Sequence, residues 1–377
     1  MKTEFQIIDK LEGLKSIVAD IEREKICAID LEGDSLFHFK EKVCLLQFAT
    51  PSFNVIIDPL KINDLSSLKP FFANHDIIKV FHGADYDIRS LYRDFGIEIN
   101  NLFDTELACR FLGFKQTGLD TVLRKLFDVK LEKKYQKKNW SQRPLPYLMM
   151  EYAVMDVAFL ISLFETLKEK LIEKNRFQWI IEESFLLSKV RPDNLHNKPL
   201  FLKFKGAGTL DSRTLAVLEA LLIFRRKTAE KKDKPPFKIL GNKTLIKIAN
   251  AKPQNKTDLI KSRALRKKEF YYSTAIIDAV SKAMGIPEDH LPEYPRKKKR
   301  PINKLVESRL KKLKDWRENL AASLDIEAGL VCNKALMTSL ATHCPLKLKD
   351  LEEIKGIKEW QKKEWGDDVI RVLETVK

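Results

Sequence analysis

KICAIDLE, residues 25–32, is a short apolar run that ends in two carboxylates. Along a strand, side chains two apart point to the same face. Ile26, Ala28, Asp30 and Glu32 therefore share one face, while Ile29 and Leu31 point into a core on the other. Two acids side by side at the end of a buried strand repel each other, and burying them uncompensated costs on the order of several kcal/mol. A hard divalent cation that selects oxygen ligands, Mg²⁺ or Mn²⁺, removes that penalty. The same pair also fits a solvated strand end running into the turn Gly33-Asp34-Ser35, so by itself it leaves both readings open.

The neighbouring segments extend the pattern. VCLLQFA (43–49) and FNVIID (53–58) have the same apolar, Ile-, Val- and Phe-rich character and read as adjoining strands of a meander. Residues 64–73 read as a helix and IIKVF (77–81) as a buried strand ending at His82-Gly83. A helix from about Asp85 to Phe95 follows, closed by Gly96. From Phe103 onward the periodicity is mostly helical, and Pro144-Leu145-Pro146 precedes a long helix from about Tyr147 to Ile172. The fold class is an α/β N-terminal domain.

Two further acids fall on apolar faces. Tyr152 and Asp156 are four apart on one side of the long helix. Asp156 lies within VMDVAFLISLF, where an unpaired carboxylate is costly. It is either a metal ligand or a buried structural Asp bonded to backbone. Asp87, in FHGADYDIRSL, lies in a first helical turn, where acids are favoured by the helix dipole. Asp85 is the better cap, and Ile88, Leu91 and Tyr92 place the buried face beside Asp87. For His82, at a strand end, the ordinary reading is structural.

Taken in order, AIDLEGDSL, FHGADYD and YAVMD resemble the three exonuclease motifs of the DEDD superfamily. The flanking VCLLQFAT, LFDTELACRFLG and NWSQRPL are similar to ribonuclease D and its nuclear exosome relatives, over about residues 1–175. That superfamily often has Asn four residues before its second-motif Asp, where this chain has Gly83. Glu151 stands where one branch has a His, and Tyr152 where the other has its Tyr, so the resemblance is to the tyrosine branch.

The resemblance implies a ribonuclease H-like domain, a mixed sheet flanked by helices, that hydrolyses RNA 3′ ends to nucleoside 5′-monophosphates with two divalent ions, Mg²⁺ or Mn²⁺. It implies that Asp30 bridges both ions, that Glu32 and Asp156 complete the water-activating ion, and that Asp87 serves the second. Tyr152 would orient the attacking water, its free pKa of about 10 making it a poor base at neutral pH. Trp140, Ser141 and Arg143 belong to a family-like segment with an expected structural role near the site mouth. The implied substrates are tRNA precursors and small structured RNAs. A DNA 3′→5′ exonuclease and a non-catalytic RNA-binding scaffold are the alternatives. The presence of all four acids and Tyr152 argues against the scaffold.

Charge is unevenly spread over the 377 residues: 1–190 hold 27 Lys and Arg against 29 Asp and Glu, whereas 191–377 hold 42 against 24. A near-neutral half joined to a basic one points to a chemical module plus a polyanion-gripping module. The expected division is an exonuclease domain over 1–175, a linker over 176–209 and all-α C-terminal domains over 210–292 and 304–377, with a basic linker, 293–303, between them. LKDWRENLAASLDIEAGLVCNKALMTSLATHCPLKLKDLEEIKGI in the last block resembles the helicase-and-RNase-D C-terminal (HRDC) domain. LEALLIFRRKTAEKKDKPPFKILGNKTLIKIA in the preceding block resembles it less fully, and the two blocks read as a weak internal duplication. Arg225-Arg226-Lys227, Arg266-Lys267-Lys268 and Arg296 to Arg300 are candidate RNA-backbone contacts, with a solvated helix face or linker as the alternative.

The five cysteines form no C-x-x-C pair, so neither a zinc site nor a disulfide framework is expected, in keeping with a reducing compartment. MKTEFQIIDK has no signal-peptide core, and acids interrupt the apolar stretch Tyr147 to Leu167. The expectation is a cytoplasmic protein without a membrane span, its oligomeric state left open with a monomer favoured.

Overall fold

The computed structural model describes residues 4–192, 198–295 and 303–376. The basic cluster Arg296 to Arg300 therefore lies outside the described residues. The chain forms two units, the first from Met1–Gly33, Val43–Pro192 and Arg300–Lys377, the second from Asp34–Lys42 and Asp193–Lys299.

The first unit holds a six-stranded sheet in the order β1-β4-β3-β2-β5-β6. The strands are β1 (Gln6–Ile8), β2 (Ile26–Gly33), β3 (Val43–Ala49), β4 (Asn54–Ile57), β5 (Ile78–Phe81) and β6 (Leu102–Asp104). β2, β3 and β4 make the antiparallel meander, and the remaining pairs are parallel. β1 and β6, three residues each, are too short to show a period and were not expected from sequence.

Alternation along β2 divides two cores. Cys27, Ile29 and Leu31 pack with α1 (Leu11–Ile21), α2 (Leu68–Ala73) and α3 (Asp85–Phe95). Ala28 belongs to the opposite face, with α4 (Thr105–Phe111), α5 (Leu119–Phe127), α6 (Tyr147–Ala158), α7 (Leu160–Glu173) and α8 (Phe177–Ser188). Gly96 ends α3 in the left-handed region at φ 61°, as its position implies. The long helix expected from Tyr147 is interrupted at Phe159, where φ is −106° and ψ −2°. The break lets α6 lie on β2, β3 and β4 while α7 packs on α4 and β5. By length and composition Tyr147–Glu173 would suffice to cross a bilayer. Its Val154, Val157, Leu163 and Leu167 are buried inside this unit.

The expected linker is largely structured. α8 falls within it, with Trp179 and Ile180 buried, and Phe201 and Ala207 enter the core of the second unit. That unit is α9 (Ser212–Lys231), α10 (Pro236–Ile239), α11 (Asn242–Ala251), α12 (Lys256–Lys261) and α13 (Ser273–Met284). The segment 34–42 joins it through His38 Nδ1, 2.7 Å from Asp233 Oδ2.

The last block, α14 (Lys304–Leu324), α15 (Ala328–Val331), α16 (Lys334–His343) and α17 (Glu359–Glu374), belongs to the first unit. It was expected as a separate domain beyond a basic linker. Instead, Leu313, Leu336, Leu340, Val369 and Leu373 share one core with Phe103 and Phe164 of the N-terminal α/β fold. Arg176 ties the two parts by donating to Phe111 O at 2.7 Å and Leu324 O at 2.9 Å. A Cβ on Gly113 (φ +88°) would lie 2.3 Å from Asp325 O, so only glycine allows the α4–α5 turn to approach α14 so closely. Such contacts cannot be read from charge runs.

Candidate active site

Three segments bring the acids to one face. β2 presents Asp30 and Glu32, opposite Gln47 and Leu45 of β3. β5 ends at Phe81, and the chain turns at Gly83, whose φ of +78° disfavours any side chain. α3 then begins, carrying Asp87, which is 7% exposed. α6 contributes Tyr152 and Asp156 from successive turns.

Asp104 fixes the turn. Its carboxylate accepts from Gly83 N at 3.0 Å and Ala84 N at 2.8 Å, while capping α4 through Glu106 N at 2.8 Å and Leu107 N at 3.2 Å. Sequence reasoning passed over Asp104. An Asp just before a helical run is the usual N-cap signal, and that signal was available in LFDTEL. His82 is engaged through both ring nitrogens, Nδ1 with Thr105 Oγ1 at 2.9 Å and Nε2 with Thr117 O at 2.8 Å. Burial lowers its pKa, which suits a structural imidazole.

The acids perturb one another. Burial raises the pKa of Asp30 to about 6. Glu32 is pushed well up by burial and then by repulsion from Asp30, Asp156 and Asp87. Asp87 is raised by burial and by Asp30, Asp104 and Asp85. Asp156 is raised by burial and by Asp30, with Tyr152 acting in the opposite direction. Burial and the charges of Asp156, Glu32 and Asp30 push the Tyr152 phenol well above its ordinary range. The structure therefore gathers all five sequence-identified residues around one patch of concentrated negative charge.

The Tyr152 ring is held from two sides, 5.8 Å from the Tyr135 centroid and 6.1 Å from that of the buried Trp140. The loop that carries Trp140 is anchored by Arg143, whose Nε and Nη2 reach the two Asp58 oxygens at 2.7 Å each. That fork accounts for the expected structural role of this segment. A cavity of about 330 Å³ borders Asp30, His82, Tyr152 and Asp156. A second, of about 510 Å³, adjoins it at Tyr152 and Asp156 and is lined by Lys130, Lys134, Tyr135 and Leu148.

Among the described residues, no three acidic, His or Cys side chains are drawn in to the spacing of a closed metal centre. The donor chemistry nevertheless fits a hard divalent cation: four carboxylates raised by burial, three of them further by repulsion from Asp30, all oxygen. Gln47 adds a second sign, since both polar atoms of its amide are buried without a partner, directly across the ladder from Asp30.

The basic clusters divide. Arg225 Nη1 donates to Asn242 Oδ1 at 2.7 Å and Leu240 O at 3.2 Å. Arg266 Nε donates to the buried Glu269 at 2.9 Å. Both hold the second unit together. Arg226, Lys227, Lys267 and Lys268 are on the surface.

Fold and acidic cleft together define a 3′→5′ exonuclease, and the 3′-5′ exonuclease domain model matches residues 5–172. The HRDC domain model matches twice, over 214–280 and 306–373. Ribonuclease D of Bartonella henselae is 28% identical over 376 residues, covering 98% of this chain and 90% of that protein. The catalytic core of RRP6 from Trypanosoma brucei superposes with a TM-score of 0.63 at 30% identity, covering 75% of this chain and 80% of that one. Escherichia coli RNase D, with a TM-score of 0.72, 21% identity and 99% coverage of both chains, has the same fold from end to end. The chain belongs to the ribonuclease D family. It is an enzyme of the family's class, a hydrolytic 3′→5′ exoribonuclease, and the family depends on divalent metal.

Proposed function

We propose that this enzyme trims the 3′ ends of structured RNAs, tRNA precursors among them, releasing nucleoside 5′-monophosphates. The carrying observation is the convergence of Asp30, Glu32, Asp87 and Asp156 from three segments, with Asp30 repelling each of the other three beside a cleft that Asp30 and Asp156 line. These four would hold two divalent cations, Mg²⁺ or Mn²⁺. Asp30 bears on each of the other three and would be the acid common to the set that holds the ions. When bound, such ions supply an ionised water and charge stabilisation at the scissile phosphate.

The chain's own residues do the rest. The Tyr152 hydroxyl stays protonated at neutral pH and so orients a nucleophile by hydrogen bonding instead of deprotonating it. Tyr135 and Trp140 restrict its ring. Lys130 and Lys134 place positive charge in the adjoining cavity, where the RNA backbone would run. We take 1–175 as the exonuclease domain, 210–292 and 304–377 as HRDC domains, and Arg226, Lys227, Lys267 and Lys268 as the remaining backbone contacts. The Escherichia coli relative is described as an exoribonuclease involved in structured RNA processing, which supports this substrate class.

The test uses the purified full chain with Mn²⁺ on a tRNA carrying a 3′ extension, beside an Asp30→Asn variant and a matched DNA oligomer. Stepwise release of 5′-monophosphates from the RNA, abolished in Asp30→Asn, is expected. Equal activity in the variant would place the chemistry elsewhere, and equal degradation of DNA would overturn the RNA assignment.

A further inference from the structure

The second unit carries an aromatic and basic patch that its own packing does not use. Tyr271 is 80% exposed, the highest value for any large hydrophobic side chain among the described residues. It lies in the 3₁₀ turn Lys267–Tyr272, whose side chains eclipse at i and i+3, so Lys268 shares its edge. Lys232, just past the end of α9, sets its Nζ over the Tyr271 ring, 4.6 Å from the centroid. The same ammonium lies 4.9 Å from the Tyr272 centroid and 3.1 Å from the Tyr272 hydroxyl.

The ring is held in place. Tyr272 packs edge-on against Phe224 at 5.9 Å, and Tyr271 stands edge-on to Tyr272 at 5.2 Å and 83°. The neighbouring acids are engaged elsewhere. Glu269 is buried under Arg266. Asp233 accepts from Phe39 N at 3.1 Å and faces His38. Lys267 and Lys268 are exposed, and the contacts of the exposed Lys232 described above are to uncharged rings and a hydroxyl, so the patch is cationic and complements an anionic partner.

We propose that Tyr271 is a stacking platform for an unpaired nucleotide of the bound RNA, with Lys232 and Lys268 taking the flanking phosphates. The proposal rests on the RNA-trimming function above and deepens it, by naming a second contact on the substrate. Lys232 covers one face of the ring and polarises it, and the other face is open to a base. A flat ring beside two ammonium groups recognises any base without regard to sequence, because every base has a π-face and every linkage a phosphate. Phosphate contacts alone would serve a duplex equally well. The exposed ring favours single-stranded RNA, whose bases can splay out and stack.

The test measures binding of the full chain, in chelator so that no hydrolysis occurs, to a labelled single-stranded oligoribonucleotide and to a blunt duplex. Tyr271→Ala is expected to weaken single-strand binding roughly tenfold and to leave duplex binding unchanged, whereas Tyr271→Phe retains full affinity. Lys232→Gln is expected to lower the salt dependence of binding by about one phosphate contact. Unaltered single-strand binding by Tyr271→Ala, or equal losses on both RNAs, overturns the platform. The same preparation of unsubstituted enzyme is assayed with Mn²⁺ on the 3′-extended RNA. Failure there ends the nuclease assignment, whereas cleavage combined with unaltered Tyr271→Ala binding ends only the platform.

Discussion

The indole of Trp360 lies against that of Trp179, ring centroids 4.7 Å apart and planes 22° from parallel. One ring comes from α8 and the other from the closing helix α17, with Trp365 and Phe111 edge-on around them. Trp360 Nε1 also donates to Glu183 at 3.0 Å. Trp360→Ala is therefore expected to destabilise by about 3–5 kcal/mol. Thermal unfolding should show the exonuclease fold and the last helical block melting together at a lower temperature. A separate early transition, with the main one unmoved, would show that the two do not share a core.

Asp104 is expected to position Asp87 by pinning the start of α3. Asp104→Asn keeps one accepting oxygen where the carboxylate had two, leaving a backbone amide at the turn without its partner at a cost of about 1–3 kcal/mol. With the helix start loosened, the Mn²⁺ concentration for half-maximal activity should rise by about tenfold or more. An unchanged metal titration would reduce Asp104 to a helix cap.

Gln47→Leu should move stability and activity in opposite directions. It removes two buried, unpartnered polar atoms, so chelator-treated protein should gain about 1 kcal/mol in denaturant unfolding. It also removes the amide facing Asp30, so turnover with Mn²⁺ should fall. A destabilised variant would mean that the amide is satisfied in solution.

Lys79 gives a pH signature unconnected with catalysis. It is fully buried on β5, its ammonium donates to Ile77 O at 2.8 Å and to Asn74 O, and burial pulls its pKa down to about 8. A base with a lowered folded-state pKa is penalised while charged, and the penalty fades as pH rises from about 8 to its unfolded value near 10.4. The unsubstituted enzyme should therefore gain stability relative to Lys79→Met, on the order of 2 kcal/mol, between those two pH values. Denaturant midpoints at pH 8 and pH 10 that differ equally for both proteins would refute it.

Much of the site was legible because its chemistry violates the pattern around it. Asp156 sits where the helix period calls for an apolar group, Asp30 and Glu32 pair side by side at the end of a buried strand, and an acid in such a place must answer to something. Lys79 violated the same rule inside IIKVF and passed unremarked, although its aliphatic stem and two carbonyl acceptors make the burial tolerable. β1 and β6 were invisible because three residues carry no period. The packing of the last helical block was not legible for a different reason. Lys and Arg along α14 look solvent-facing in sequence, and nothing local shows that Leu313 and Ala321 on the same helix enter a core built largely from residues before 190. Arg225 and Arg266 were grouped by charge, whereas their guanidinium groups answer to particular carbonyl and carboxylate acceptors that only the folded chain brings near.

The seam between α8 and α17 has a consequence for biosynthesis. A core shared by segments so far apart in the chain cannot close until both have been synthesised. Chains terminated before α17 would then leave Trp179 and Phe111 uncovered and be proteolysis substrates, not small compact nucleases.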